Sequence, residues 1–108
     1  MESFERRKDG FERKFAHDEE LKFKAMARRN RMLGHWAAEK LGLSGAEADA
    51  YAREVVKADF EEPGDEDVVR KIRTDFDAKN IALSDHQIRR TMEELLITAA
   101  EQIQAEKS

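Results

Sequence analysis

The chain reads as an all-α protein, a small four-helix bundle preceded by a mobile, conditionally helical N-terminal arm. Three observations carry that expectation. Apolar residues recur at three- and four-residue spacing in successive segments, no run alternates with period two, and 108 residues hold a single proline while 41% are charged. One domain is expected at this length, with a modest core that needs neither metal nor disulfide. With no cysteine present, disulfides and Cys-ligated zinc are excluded, which fits a reducing, cytoplasmic setting.

The arm comprises residues 1–19. Phe4-Glu5-Arg6 recurs seven residues later as Phe11-Glu12-Arg13, and Phe15 follows one turn on. On a helix the three rings form one stripe, because seven steps of roughly 100° return to within about 20° of the start. Arg6, Arg7, Lys8, Arg13 and Lys14 surround it, interleaved with Glu2, Glu5, Asp9 and Glu12. Gly10 interrupts the segment at a cost of about 0.8–1 kcal/mol relative to Ala, and an isolated helix of this length is marginal in water. The arm is therefore expected to become a firm helix only against a surface. That surface is either the chain's own bundle or a groove of another protein, since a purely solvating tail has no use for three aligned phenylalanines.

Four helices are expected in the body, residues 20–108, at about 18–41, 44–59, 65–78 and 84–106. Asp18-Glu19-Glu20 puts negative charge in a first turn, where the helix dipole favours it, and Gly42 supplies the stop. Leu21, Ala25, Met26, Met32, Leu33, Trp36 and Ala37 share an arc of the first body helix, while Lys24, Arg28, Arg31 and His35 form a basic stripe opposite. Arg29 lies so centrally in the apolar arc that it calls for a carboxylate from another helix. Ser44 with Glu47, and Ser84 with Gln87, have capping-box spacing, and Asp65 stands as the cap between them. The apolar faces are Tyr51, Val55 and Ala58, then Val68, Val69, Ile72 and Phe76, then Ile88, Met92, Leu95, Leu96, Ala99 and Ile103. Phe60-Glu61-Glu62-Pro63-Gly64 breaks the chain between the second and third of these helices.

Catalysis finds little support. His17, His35 and His86 stand apart, outside any zinc-ligand pattern, and no phosphate-cradling loop or nucleophile elbow occurs. The acidic run Glu61-Glu62 with Asp65-Glu66-Asp67 lacks the twelve-residue alternation of a calcium loop. Nucleic acid is disfavoured by a net charge of −4 and the absence of a reading motif. Charge is nevertheless uneven: residues 1–31 carry ten basic against seven acidic residues, and residues 32–108 carry ten against seventeen. A basic leading part on an acidic body implies either that the two meet different surfaces or that the arm rests on the body until a partner displaces it. No apolar run approaches the length of a membrane span or a signal-peptide core.

Several long segments resemble a known family. Phe15-Ala16-His17-Asp18-Glu19-Glu20-Leu21, Phe23-Lys24-Ala25, Ala27-Arg28-Arg29-Asn30, Gly34 with Trp36-Ala37-Ala38, and Ala58-Asp59-Phe60-Glu61-Glu62 before Gly64-Asp65-Glu66-Asp67-Val68 are similar to the zeta-subunit family of alphaproteobacterial F-type ATP synthases. The resemblance implies a non-enzymatic ATPase inhibitor subunit, without cofactor or metal, monomeric when free and held at the cytoplasmic face of the membrane through the ATP synthase. It implies that the arm inserts between an alpha and a beta subunit of the catalytic head, beside the gamma shaft, and stops ATP hydrolysis. The arm residues carried over are Phe4, Arg6, Arg7, Phe11, Arg13, Lys14 and Phe15. Burial of three phenylalanines contributes about 1.5–3 kcal/mol each, against about 1–2 kcal/mol for each backbone unit ordered. The bundle must then contact the head as well, with Lys24, Arg28 and Arg31 as the secondary contact or anion-binding set. Two other classes compete: a small module that binds a nucleotide weakly on the same basic face, and an adaptor whose arm docks on an unrelated protein.

Overall fold

A helix begins after a cap residue whose carbonyl accepts the first intrahelical bond and whose polar side chain can accept from an amide of the first turn. The computed structural model describes residues 4–15, 17–60 and 64–107, with the backbone alone at 15 and 107. Five helices occur among them: α1 (Phe4–Phe15), α2 (Glu19–Lys40), α3 (Gly45–Ala58), α4 (Glu66–Ala78) and α5 (Asp85–Lys107). The four body helices correspond to α2–α5, and α1 is a fifth, lying against α5 and the start of α2. Most of the expected starts fall one residue early because Asp18, Ser44 and Asp65 are N-caps rather than helical residues. The expected break at Glu61-Glu62-Pro63 lies outside the described residues.

The caps differ in chemistry. Asp18 accepts from the Leu21 amide at 2.9 Å. The Ser84–Gln87 box forms in full, with the Gln87 amide donating to Ser84 Oγ at 3.1 Å and the Ser84 amide donating to Gln87 Oε1 at 2.9 Å. The Ser44–Glu47 box does not form: Gly45 enters α3 at φ 55°, a left-handed step, and Ser44 makes no side-chain cap bond. Asp65 also makes no cap bond, because both its oxygens are taken by Arg29, at 2.8 and 3.2 Å. At the other end of α2, Gly42 turns at φ 81° so that its amide reaches Glu39 O and that of Leu43 reaches Ala38 O. Asn80, at φ 59°, ends α4 in the same manner.

The interior has two apolar clusters. Leu33, Ala37 and Ala38 of α2 meet Tyr51 and Val55, Val68, Ile72 and Phe76, and Ile88 and Met92, so the larger cluster draws on α2–α5. Trp36 tilts against Phe76 with ring centroids 5.9 Å apart. Leu21 and Ala25 meet Ala99, Ala100 and Ile103, with Phe11 of α1 packed on top, to form the smaller. Along α2, Arg29 stands between the two and is only 1% exposed. Its Nε donates to Asn30 Oδ1 at 3.0 Å, which with Asp65 leaves every edge of the guanidinium engaged. The anticipated carboxylate partner is thus present, supplied by the head of α4.

Two features give measurable consequences. Where α2 crosses α3, a Cβ built on Gly34 would lie 2.5 Å from Ala52 Cα, a backbone atom with nowhere to retreat. Gly34→Ala is therefore expected to cost about 1–3 kcal/mol in denaturant unfolding as the helices are forced apart. An unchanged midpoint would show that the crossing is looser than described. The chain's one tyrosine, Tyr51, donates to Asp75 Oδ2 at 2.7 Å while Lys71 Nζ stands 4.9 Å from its ring centroid. Burial first, then the hydrogen bond to Asp75 and that residue's charge, push the hydroxyl far above the ordinary tyrosine range. Because the folded value exceeds the unfolded one, this stabilising contribution is complete below pH of about 10 and is lost as pH rises beyond it. Phenolate absorbance should stay absent about one unit above pH 10 in the folded chain and appear on unfolding at that pH; an ordinary titration in the folded state would refute the assignment.

Candidate functional site

Four residues of α1 face the body at helical spacing, Phe4, Arg7, Lys8 and Phe11, and each has its own partner there. Arg90 of α5 places its guanidinium 4.4 Å from the centroid of the Phe4 ring. Arg7 forks onto Glu101, Nη2 to Oε1 at 2.6 Å and Nε to Oε2 at 3.2 Å, and also donates to Thr98 Oγ1 at 3.1 Å. Lys8 Nζ lies 2.6 Å from Glu93. Phe11, half-buried, closes the smaller apolar cluster. Beside it runs a cleft floored by Leu21, Ile97 and Ala100 and walled by Arg7 and Gly10.

The remainder of α1 is exposed: Glu5, Arg6, Asp9, Gly10, Glu12, Arg13 and Lys14. Arg6, Gly10 and Lys14 also line the cleft. The Phe15 side chain lies outside the described residues. A Cβ at Gly10 would touch nothing within 4 Å, so this glycine serves no close approach. Its effect is to weaken α1 as a helix.

The mounting of α1 is electrostatic and shallow. The hydrogen bond from Lys8 to Glu93, then the charge of Glu93, raise the lysine above its ordinary value, so Lys8 keeps its charge until pH climbs beyond the lysine range. The link is insensitive to pH near neutrality. Half-exposed pairs of this type exchange readily for water and weaken with salt. Burial of Phe11 contributes at most about 1.5–3 kcal/mol, the figure for a fully covered side chain.

Of the residues anticipated from sequence, the structure gathers Phe4, Arg7 and Phe11 on one face and leaves Arg13 and Lys14 turned outward. Lys8, Glu93, Thr98 and Glu101 were not anticipated. The signal for Lys8 was available, since it stands four after Phe4 and three before Phe11. The secondary set is divided. Lys24 pairs with Glu20 at 2.8 Å, and Arg28 forks onto Glu106 at 2.5 and 2.9 Å, whereas Arg31 has no such pair among the described residues. Among those residues no group of three or more His, Asp or Glu is placed to hold a metal ion.

A family model described as ATPase inhibitor subunit zeta matches residues 1–102. The chain belongs to that family. The match takes in the α1 segment and the body as far as residue 102, within α5. A protein whose solution structure was determined by NMR is 51% identical, covering 80% of this chain and 98% of its own, with a TM-score of 0.71. Among curated proteins none matches. A family of inhibitor subunits is regulatory rather than catalytic by its name, and its context is the ATP synthase. No helix among the described residues is long and apolar enough to cross a membrane.

If the α1 mounting is as weak as its chemistry, it responds to two opposite changes. Glu93→Lys together with Glu101→Lys should raise amide exchange across residues 4–14 at least tenfold while leaving α2–α4 unchanged. Gly10→Ala should slow exchange in α1 about fourfold to fivefold, the equivalent of about 0.8–1 kcal/mol of helix propensity. Exchange in α1 that ignores the charge reversal would show that these pairs do not hold it.

Proposed function

We propose that this chain is the inhibitor subunit of an F-type ATP synthase, with residues 1–19 as a plug and 20–108 as its anchor, and that it blocks ATP hydrolysis by inserting the plug between an alpha and a beta subunit beside the gamma shaft. The observation that carries this reading is the contrast between α1 and the rest. The larger apolar cluster is enclosed by the four body helices, while α1 is attached, among the described residues, largely through half-exposed ion pairs, a cation–π contact and the packing of Phe11. Such a helix can leave without unfolding what it leaves behind.

In this reading the body holds α1 until a better groove competes for the same stripe. Phe4 and Phe11 exchange one apolar surface for another, and Arg13 and Lys14, exposed and without an ion pair among the described residues, supply cations to the new partner. A helix of 12 residues with a central glycine is marginal alone. The arm is therefore mobile in transit and helical at either end of its path. Once seated, a rigid helix in an interface that must open and close in each catalytic cycle obstructs rotation by occupying volume, with no bond made or broken. The protein acts at the cytoplasmic face of the membrane only through this assembly, enters no bilayer itself, and is a monomer when free.

The decisive comparison is ATP hydrolysis by the purified cognate catalytic head, at saturating inhibitor, with the intact chain, with residues 1–19 removed, and with Arg13→Glu plus Lys14→Glu. Truncation should restore full hydrolysis, and the charge reversal, at exposed positions that make no ion pair among the described residues, should weaken inhibition at unchanged circular dichroism. Equal inhibition by the intact and truncated chains would remove the plug assignment.

A further inference from the structure

The outward face of α2 is built differently from the rest of the surface. Phe23, Ala27, Arg31 and His35 succeed one another every four residues, and all are exposed. Phe23 is 71% exposed, one of two large hydrophobic residues so placed among the described residues. Two adjoining clefts share Ala27 and Arg31: one runs between Phe23 and Ile103 of α5, the other reaches Arg53 and Val56 of α3. The face thus spans three helices. From residue 23 to residue 35 it extends twelve residues, about 18 Å at about 1.5 Å each.

Its charge is resolved by pairing. Glu20 takes Lys24, Glu106 takes Arg28, and Asp49 stands 3.7 Å from His35. Arg31 and Arg53 are left, both exposed and both without a hydrogen bond or ion pair among the described residues. A chain of net charge −4 therefore presents two uncommitted guanidiniums flanking an exposed phenylalanine. Most other arginines are paired: Arg7, Arg28, Arg29, Arg70, Arg73, Arg89 and Arg90 each have a carboxylate, while Arg13 of α1 has none among the described residues.

We propose that this face is a second docking surface, distinct from α1, for an acidic amphipathic helix on the surface of the catalytic head. Its carboxylates would fork onto Arg31 and Arg53, and an apolar side chain would cover Phe23 and Ala27. The inference rests on the inhibitor reading above and names the part of the body that does the anchoring. Three turns of apolar and cationic surface match the length of a partner helix. A nucleotide is the poorer fit, because Asp49 and Glu106 border the clefts with negative charge and no loop of backbone amides gathers there. Anchoring here leaves α1 free to move, since neither cleft includes an α1 residue.

The test uses the full-length chain and the purified head, with equilibrium binding measured at low and moderate salt alongside ATP hydrolysis. Arg31→Glu with Arg53→Glu should weaken binding at least tenfold and flatten its salt dependence, and Phe23→Ser should weaken it severalfold. Thermal unfolding of the variants should match the parent, since none of these side chains is buried. If the parent chain inhibits but the variants bind as tightly as it does, the face is not the anchor and the inhibitor reading stands. If the parent neither binds nor inhibits, both fall. Self-association of the parent that the same variants abolish, or saturable ATP-induced shifts centred on Arg31 and Arg53 that the head does not compete away, would overturn the proposal in favour of a second copy or a nucleotide.

Discussion

The charge of Arg29 is the constraint around which the body is arranged. A buried guanidinium without partners is untenable, and removing one partner of such a pair costs about 3–5 kcal/mol. The chain meets the requirement by bringing the head of α4 to the middle of α2 and giving up the side-chain cap of α4 to do so. That choice fixes where α4 begins, and with it the placement of Val68, Ile72 and Phe76 in the larger cluster. The close crossing of α2 and α3 at Gly34 and Ala52 fixes the other side. Between them, one ion pair and one missing methyl set the geometry of four helices.

The same residue partitions the interior. Below Arg29 the core is assembled from all four body helices; above it, α2 and α5 meet without α3 or α4, and the gap is closed by Phe11. α5 is consequently apolar over a wider arc than one neighbour requires. Ile97 and Ala100 are buried beside Ala99 and Ile103 because α2 and α1 occupy adjoining flanks. The pair of apolar layers differs in permanence. One is enclosed by the body, and the other depends for its lid on a helix held largely by surface charge.

Much of this was legible in the residues. Stripes at helical spacing locate four helices, and the buried members named for α3 and α4 are those that line the core, because each of those helices has one apolar face and one wet one. Arg29 announced its need for a carboxylate by its position. The caps were less secure: Ser44 and Asp65 have the right identities, but a left-handed entry at Gly45 and the competing demand of Arg29 decide what their side chains do. The arm was the hardest part. Its stripe shows that Phe4 and Phe11 seek a surface, yet only the width of the apolar arc on α5, written in Leu95-Leu96-Ile97 and Ala99-Ala100, reveals that the chain itself supplies one. Pairings such as Arg7 with Glu101, separated by 94 residues, have no local signature at all.

That separation has a consequence for the order in which the protein is made. α1 leaves the ribosome well before the residues that hold it, Arg90, Glu93, Thr98 and Glu101, have been translated. At about 5–20 residues per second, the helix spends several seconds with no cradle. During that interval its aromatic stripe is available to any neighbouring surface. An arm restrained by the C-terminal helix is one that every newly synthesised copy must first live without.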